Sequence, residues 1–252
     1  MPGQNTPQRP HGRGAARTAV VWEALREVLE SVPVEGAGAD RVSVVDVGGG
    51  TGGFAVRVAE LGHRVTVVDP SPDALAILGL RADESGVADL VTARQGDLAS
   101  LPDLVPAANA DVVLCHGVLE IVDDPVEALS VLAGTLRPGG VLSLLVNQRH
   151  AAVVARAMAG HFQQARTLLD DPAAAGSTRR FTANEISEVL TGTGFEVTAM
   201  HAVRVFVDLV PSSLVDLEPG ADSALVELER AVADRPEYLP LGTQLHVLAL
   251  RR

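Results

Sequence analysis

Five glycines follow a short run of β-branched residues, in the stretch VVDVGGGTGG that ends at position 53. Gly48, Gly50 and Gly53 fit the pattern G-x-G-x-x-G, which is typical of a turn between a strand and a helix that binds a dinucleotide. In such a turn, backbone N–H groups at the start of the helix face the ligand, and a Cβ would block its approach. A P-loop is excluded, because it requires a lysine and this chain has none.

Two aspartates flank the glycine turn and narrow the choice of ligand. Asp46 lies two residues before Gly48, where a carboxylate would repel a pyrophosphate and attract an ammonium group. The pattern Asp46-x-Gly48-x-Gly50-x-Gly52 resembles motif I of class I S-adenosylmethionine-dependent methyltransferases. Asp69 lies 19 residues after Gly50 and can accept from both hydroxyls of a ribose, a feature that either cofactor would use. As the structural alternative, Asp46 caps the glycine turn.

Three further stretches agree with the same family. Gln95, Gly96 and Asp97 follow a predicted third strand, where the family has its adenine contacts. His116 ends a predicted fourth strand and would face the cleft in which the methyl group is transferred. The run LRPGG precedes a predicted fifth strand, as it does in this fold. The structural alternatives are that Asp97 caps the following turn and that His116 is a buried histidine without a ligand.

Almost the whole chain resembles one subgroup, the tRNA 5-carboxymethoxyuridine methyltransferases. The similar segments include Arg17 ahead of Trp22, VVDVGGGTG, HGVLEIVDDPVEAL, TLRPGGVLSLLV, AMAGHF, AVRVFVD and ALVELERAVADRPEYLPLGTQLHVLA. An arginine such as Arg17 can bind the carboxylate of the cofactor with both arms of its guanidinium, or it is simply solvated. Together with the motifs above, the resemblance implies these contacts to S-adenosylmethionine: Arg17, Asp46, Gly48, Gly49, Gly50, Asp69, Pro70, Gln95, Gly96, Asp97 and His116.

The resemblance also implies a reaction. The subgroup methylates the carboxylate of a modified uridine at the wobble position in the tRNA anticodon, which gives a methyl ester. A carboxylate is ionised at neutral pH and needs no general base, and no catalytic base is evident near the motifs. Arg149, His150 and Arg204 are candidates to position the acceptor, unless they are only surface charges.

Other functions remain open at this stage. A methyltransferase that acts on a small carboxylate or hydroxyl metabolite would keep every cofactor motif. A nicotinamide-dependent reductase would keep the glycines but leave Asp46 and LRPGG unexplained. A binding module without catalysis would not need intact motifs.

The acceptor side departs from the subgroup. A lysine-rich stretch in the family's insertion is reduced here to Arg179 and Arg180, and Asn147 and Gln148 replace an aromatic residue and an asparagine. Aromatic residues are few, at 3 % of the chain. We expect those near the acceptor side to pack in the core or cover the insertion, namely Phe162, Phe181, Phe206 and Tyr238.

The order of elements predicts the fold that must position these residues. Strands alternate with helices from residue 41 onward, with predicted helices at 51–61 and 72–84 and a long strand at 195–208. This alternation is typical of a parallel sheet with right-handed crossovers. We expect an α/β, Rossmann-like class I methyltransferase fold with a seven-stranded, mostly parallel sheet whose last strand is antiparallel. Residues 1–14 are predicted to be a flexible tail and 15–252 a single domain, with cap elements at 15–31 and about 148–180.

Composition sets the remaining limits. Apolar residues make up 47 % of the chain, so the core is expected to consist of Val, Leu and Ala. A single cysteine, Cys115, excludes an internal disulfide and suits the cytoplasm. We expect no membrane span and no metal, and the oligomeric state stays open.

Charge is distributed unevenly along the chain. The net charge of −12 argues against broad non-specific binding of nucleic acid. Residues 145–181 nevertheless contain five arginines against two aspartates. This pattern indicates either arginines scattered over an acidic surface or a basic entrance to the site. A basic entrance would suit the anticodon region of a tRNA.

Overall fold

The computed structural model describes residues 13–32, 41–170, 178–211, 213 and 220–252. Seven strands form one sheet: β1 Ser43–Val47, β2 Arg64–Asp69, β3 Val91–Gln95, β4 Ala110–His116, β5 Leu136–Asn147, β6 Phe195–Val203 and β7 Gln244–Arg251. The α-helices discussed below are α1 Arg13–Ser31, α2 Ala55–Glu60, α3 Pro72–Glu84, α4 Leu101–Leu104, α5 Pro125–Thr135, α6 Arg149–Met158, α7 Phe162–Asp170, α8 Ala183–Gly192 and α9 Ala221–Ala233.

The sheet has the strand order β3-β2-β1-β4-β5-β7-β6. Strands β1 to β5 pair in parallel, whereas β7 lies antiparallel between β5 and β6. The carboxyl ends of the parallel strands therefore meet at one edge, and the strand order reverses beside β1, where such sheets bind ligands. The predicted α/β class, with its seven-stranded and mostly parallel sheet, is confirmed.

Aliphatic side chains fill the core on both faces of the sheet. On one face, β1 and its neighbours pack against Leu101 of α4, Leu129 of α5 and Leu190 of α8. On the other face they pack against Leu25 of α1 and Leu78 of α3, among others. Within the described ranges the buried residues are largely Val, Leu and Ala, as the composition predicted.

Several predicted boundaries were wrong for local reasons. The helix predicted at 51–61 begins only at Ala55, because Gly52 still has a positive φ of 79° and belongs to the turn. The strand predicted to reach 208 ends at Val203, because Arg204 adopts a left-handed φ of 62°. The run LRPGG lies inside β5, with a register shift against β4, rather than ahead of the strand.

The two segments that we predicted to be cap elements are largely helical. Helix α1 begins at Arg13, inside the range predicted as a tail, and residues 1–12 of that range lie outside the described part. Helices α6 and α7 occupy most of the 148–180 insertion, and residues 171–177 lie outside the described part. Among the described helices, none is both long and apolar enough to cross a membrane.

Candidate active site

A cleft of about 620 Å³ opens at the carboxyl ends of β1, β2 and β4 and extends to the start of α5. Its apolar walls include Val47, Leu98, Val118 and Val131. Six of the predicted cofactor residues line it: Gly48, Asp69, Pro70, Gly96, Asp97 and His116. The structure therefore brings together residues that come from four separate strand ends.

The glycine turn is shaped by contacts that leave no room for side chains. Gly48 and Gly50 have positive φ angles of 71° and 54°, which favour glycine. A Cβ on Gly48 would collide with Val118, and one on Gly49 would lie 2.5 Å from Oδ2 of Asp46. The backbone of the glycine turn therefore lies closer to its neighbours than it could if these residues had side chains.

Asp69 is held at the end of β2 with acceptor capacity left over. Its Oδ2 accepts from the N–H of Gly50 and its Oδ1 from the N–H of Ser71, both at 2.9 Å. Each carboxylate oxygen can accept a second hydrogen bond, so the two hydroxyls of a ribose can be accommodated. Nearby, the Gln95 amide donates to the Pro70 carbonyl at 3.3 Å, which ties the end of β3 to the same loop.

Asp46 lies beneath the glycine turn with only 3 % of its surface exposed. Burial raises the pKa of its carboxyl to about 7, and the nearby charge of Asp69 acts in the same direction. A positive group at this point would favour the ionised carboxylate and lower that pKa. The site therefore suits the ammonium group of a bound amino acid.

The loop after β3 is fixed by its own hydrogen bonds. The N–H of Gly96 donates to the Asp69 carbonyl at 3.1 Å. Oδ1 of Asp97 accepts from the backbone N–H and the hydroxyl of Ser100, at 3.0 and 2.8 Å, and these bonds lower the pKa of Asp97. Asp97 therefore caps the following turn, as the structural alternative predicted, and it also lines the cleft.

His116 ends β4, and its two ring nitrogens have different surroundings. Its Nε2 lies 3.0 Å from the hydroxyl of Ser143, whereas Nδ1 is buried with no partner among the described residues. Burial lowers the pKa of His116 to about 4, so the ring is neutral at physiological pH. Burial also raises the pKa of the neighbouring Cys115 thiol, which is consequently a poor nucleophile.

The cleft is strongly acidic. Asp69, Asp97, Asp123, Asp124 and Glu127 all line it. Such a surface repels the pyrophosphate of a dinucleotide and attracts a cation. The sulfonium and ammonium groups of S-adenosylmethionine are compatible with these acids, and its adenine is compatible with the apolar walls.

Arg17 and Arg204 lie away from the cleft lining but next to each other, on either side of one carboxylate. Arg204 pairs with Oδ2 of Asp208 at 2.6 Å, and Arg17 approaches Oδ1 at 3.4 Å. Arg204 also points towards Gln244, and its Nε is buried without a partner among the described residues. The cluster lies at the ends of β6 and β7, on the same edge of the sheet as the cleft.

The other two acceptor candidates are placed differently. Arg149 lies 2.6 Å from Oε1 of Glu185, and Glu185 completes the capping box of α8. This bond anchors α6 to α8, and Arg149 is not among the residues that line the cleft. His150 is exposed on α6. The structure therefore brings neither side chain to the cleft.

Helices α6 and α7, with residues 178–180, form what we call the insertion surface. Met158 and Phe162 are exposed by 71 % and 69 %. Of the two expected positions for Phe162, the core is therefore excluded, and the residue lies on the insertion itself. Burial lowers the pKa of Arg180, and the charge of Arg156 adds to this effect. The backbone N–H of Arg179 donates to the carbonyl of Glu120 at 3.0 Å, beside the loop that lines the cleft. The insertion surface therefore presents cations and apolar side chains next to the cleft.

Comparison with known proteins agrees with this geometry. Residues 45–144 match the family model described as "Methyltransferase domain". A methyltransferase structure from Mesorhizobium loti, described as S-adenosylmethionine dependent, has a TM-score of 0.60 at 21 % identity, over 95 % of this chain and all of that one. The fold and the cleft define a class I S-adenosylmethionine-dependent methyltransferase.

Two sequence relatives differ in how much of the chain they match. The tRNA 5-carboxymethoxyuridine methyltransferase of Escherichia coli K12 is 30 % identical over 94 % of this chain and 88 % of its own length. A ubiquinone biosynthesis O-methyltransferase of Xanthomonas axonopodis is 37 % identical, but over only 55 % of each chain. The chain belongs to the family of the tRNA 5-carboxymethoxyuridine methyltransferases.

Sequence reasoning missed the partners of the predicted residues. The pairing of Arg204 with Asp208 was hidden because residues four apart are far from each other in a strand, and a strand was predicted there. Ser143 and His246 gave no motif, because they lie inside apolar strands. Their alignment with His116 depends on strand register, which the sequence does not show directly.

Proposed function

We propose that this enzyme transfers the methyl group of S-adenosylmethionine to the carboxylate of 5-carboxymethoxyuridine at the wobble position of tRNA. The single observation behind this proposal is the extent of the match to the Escherichia coli enzyme of that name, which includes the C-terminal third of the chain. The methyltransferase domain itself ends at residue 144. The regions on either side of it, which supply α1, the insertion and α9, are therefore similar as well.

The insertion surface supports a nucleic acid as the acceptor. The protein has a net charge of −12, yet Arg156, Arg166, Arg179 and Arg180 lie on or beside α6 and α7. Phosphates bind arginine, and an unpaired base can stack on an exposed aromatic ring such as that of Phe162. A small metabolite would need neither feature.

The weak basicity of His116 is consistent with an acceptor that is already ionised. S-adenosylmethionine would supply an electrophilic methyl carbon, and a carboxylate oxygen that attacks it would form an ester while the C–S bond breaks. No proton has to move in such a step. His116, with a pKa of about 4, is a weak base and is therefore poorly suited to deprotonate a hydroxyl acceptor.

In this mechanism the protein mainly binds and orients the reacting groups. We propose that Asp46, Asp69, His116 and the Gly48–Gly50 turn hold the cofactor, together with Pro70 and the 95–97 loop. Arg17 would bind the carboxylate of the cofactor. Arg204 would direct the acceptor carboxylate, with its guanidinium held in place by Asp208 at 2.6 Å.

O-methylation of a small molecule is the second candidate. The ubiquinone O-methyltransferase from Xanthomonas supports it, although the match covers about half of each chain. Under this alternative the cofactor residues keep their roles and the insertion surface has no RNA to bind.

Analysis of tRNA nucleosides separates the two candidates. In a strain that lacks the gene, tRNA should accumulate 5-carboxymethoxyuridine with a free carboxylate. That tRNA, incubated with the purified protein and S-adenosylmethionine labelled in the methyl group, should take up label that mild alkali releases, since esters hydrolyse and methyl ethers do not. An unchanged nucleoside profile would contradict the proposal, and alkali-stable label in tRNA would contradict the carboxylate as acceptor.

A further inference from the structure

Four polar side chains from four neighbouring strands form a continuous line of hydrogen bonds through the sheet. His116 of β4 lies 3.0 Å from Ser143 of β5, and Ser143 lies 2.8 Å from Nε2 of His246 of β7. Nδ1 of His246 in turn lies 3.2 Å from Nδ1 of His201 of β6. We call these four residues the histidine–serine chain. It runs along one face of the sheet, from the cleft to the edge strand β6.

The interior of the histidine–serine chain is completely buried. Ser143 and His246 have no exposed surface. Burial lowers the pKa of His246 well below its usual value, and the neighbouring His116 and His201 act in the same direction. The central rings are therefore neutral, and each neutral imidazole has one N–H and one lone pair.

Because the rings are neutral, the direction of one hydrogen bond in the chain determines the direction of the next. If His246 donates from Nδ1 to His201, its Nε2 is a lone pair that accepts from the Ser143 hydroxyl. Ser143 then accepts from Nε2–H of His116, and Nδ1 of His116 keeps a lone pair. The opposite direction would place the proton on Nδ1 of His116. The tautomer of His201 therefore determines whether Nδ1 of His116 presents a lone pair or an N–H to the cleft.

The inner end of the histidine–serine chain favours the first direction. Nδ1 of His116 is buried with no partner among the described residues. As with backbone groups, a buried N–H without an acceptor is rarer than a buried acceptor without a donor. The proton of His116 therefore belongs on Nε2, where Ser143 accepts it, and His246 then donates from Nδ1 to Nδ1 of His201.

We propose that Ser143, His246 and His201 are positioning residues that keep the proton of His116 on Nε2. Nδ1 of His116, buried without a partner among the described residues, then accepts a hydrogen bond from an N–H or O–H group of bound S-adenosylmethionine. This inference depends on His116 facing the cofactor and is independent of the identity of the methyl acceptor.

Nitrogen NMR of the protein labelled at histidine tests the proposal without any turnover. In the free protein, His116 should show the Nε2–H tautomer, with its signals assigned from a His116→Asn variant. Ser143→Ala should yield a mixture of tautomers. Calorimetry with S-adenosylhomocysteine should show roughly fivefold to tenfold weaker binding to this variant, as expected when one hydrogen bond is removed.

Matched variants separate positioning from packing. His246→Phe should have the same effect as Ser143→Ala, and His246→Gln should restore the tautomer because its amide oxygen can accept from Ser143. Thr198→Val removes a hydroxyl that bonds to the Leu248 carbonyl on the same pair of strands, and it should change neither readout. If a core variant does not fold, His201→Phe at the partly exposed end provides the same two measurements. An Nδ1–H tautomer in the wild type, or an unchanged tautomer and affinity in the folded variants, would overturn the proposal.

Discussion

Two aspartates at the glycine turn have similar sequence contexts but different surroundings. Asp69 lines the cleft and accepts from two backbone N–H groups at 2.9 Å. Asp46 is buried beneath Gly49, and its pKa rises to about 7 as a result. The Asp46 carboxyl can therefore change its charge near neutral pH.

We expect Asp69→Asn to weaken binding of S-adenosylhomocysteine by roughly 100-fold, the reduction expected when hydrogen bonds to a charged acceptor are removed. Isothermal titration calorimetry measures this directly. Asp73→Asn is a matched control, because Asp73 is exposed on the first turn of α3. Equal affinities for the two variants would remove Asp69 from the ribose site.

Binding of S-adenosylhomocysteine should also depend on pH through Asp46. The ammonium group requires the ionised carboxylate, so the affinity should rise between pH 6 and pH 8. Below the Asp46 pKa of about 7, the rise should be at most about tenfold per pH unit. Calorimetry at pH 6 in buffers of different ionisation enthalpy should detect proton release. In Asp46→Asn the pH dependence should disappear, and a flat profile in the wild type would contradict the assignment.

The same residue makes a prediction about the stability of the free protein. The pKa of Asp46 is raised from 3.8 to about 7 in the folded state. The folded protein therefore binds this proton more tightly than the unfolded chain, and stability falls as pH rises across that interval. Urea unfolding gives the difference in stability between Asp46→Asn and the wild type at each pH. We expect this difference to favour the variant more at pH 8 than at pH 5. No difference between the two pH values would contradict the raised pKa.

At the scale of elements, the segment after β6 is held by one buried side chain. The Glu229 carboxylate on α9 accepts from the N–H groups of Val205, Phe206 and Val207, at 2.9, 2.8 and 2.7 Å. These three bonds take the place of the backbone hydrogen bonds that a longer β6 would have made to a neighbouring strand. They turn the chain so that Arg204 and Asp208 meet.

Glu229→Ala should destabilise the protein by about 3 kcal/mol or more, because it leaves three backbone donors without their acceptor. Urea denaturation measures the change, and Glu227→Ala, on the exposed face of the same helix, is the control. A difference of less than about 0.5 kcal/mol between the two variants would show that water replaces the carboxylate without cost.

The sequence predicted those elements that depend on local patterns. Spacing and residue type were enough to predict three features: the glycine turn, Asp69 at the end of β2, and the end of α5 before LRPGG. The end of β6 did not, because it depends on Glu229, more than 20 residues further along the chain. The bond between Arg149 and Glu185 was not predicted either, because the two residues lie 36 positions apart. Such pairs are set by tertiary packing, which a single sequence does not reveal.

At the scale of the whole molecule, charge separates two functions. The cofactor cleft is lined by acids, whereas the adjacent insertion surface has arginines and exposed apolar side chains. An acidic body repels nucleic acid in general, so the tRNA contact that we propose would be restricted to the insertion surface. Such an arrangement would favour a specific RNA contact over a general one.

Binding of tRNA should weaken as salt increases, and the arginines of the insertion surface should account for that dependence. In Arg156→Ala/Arg166→Ala, the slope of log K against log salt should fall by roughly 0.7 to 0.9 for each phosphate that these arginines no longer neutralise. Fluorescence anisotropy with labelled tRNA measures the slope. Arg94→Ala, an exposed arginine on β3 at the opposite edge of the sheet, should leave it unchanged. Equal slopes for the two variants would place the RNA elsewhere.

The position of β7 has a consequence for how the protein is made. This strand follows the other six in sequence, yet it lies between β5 and β6 in the sheet. During synthesis, β6 leaves the ribosome before its partner β7, and α9 emerges before β6 has joined the sheet. The nascent polypeptide must therefore hold these segments unpaired until residues 244–251 are translated, and in that interval chaperones would find exposed apolar strands to bind.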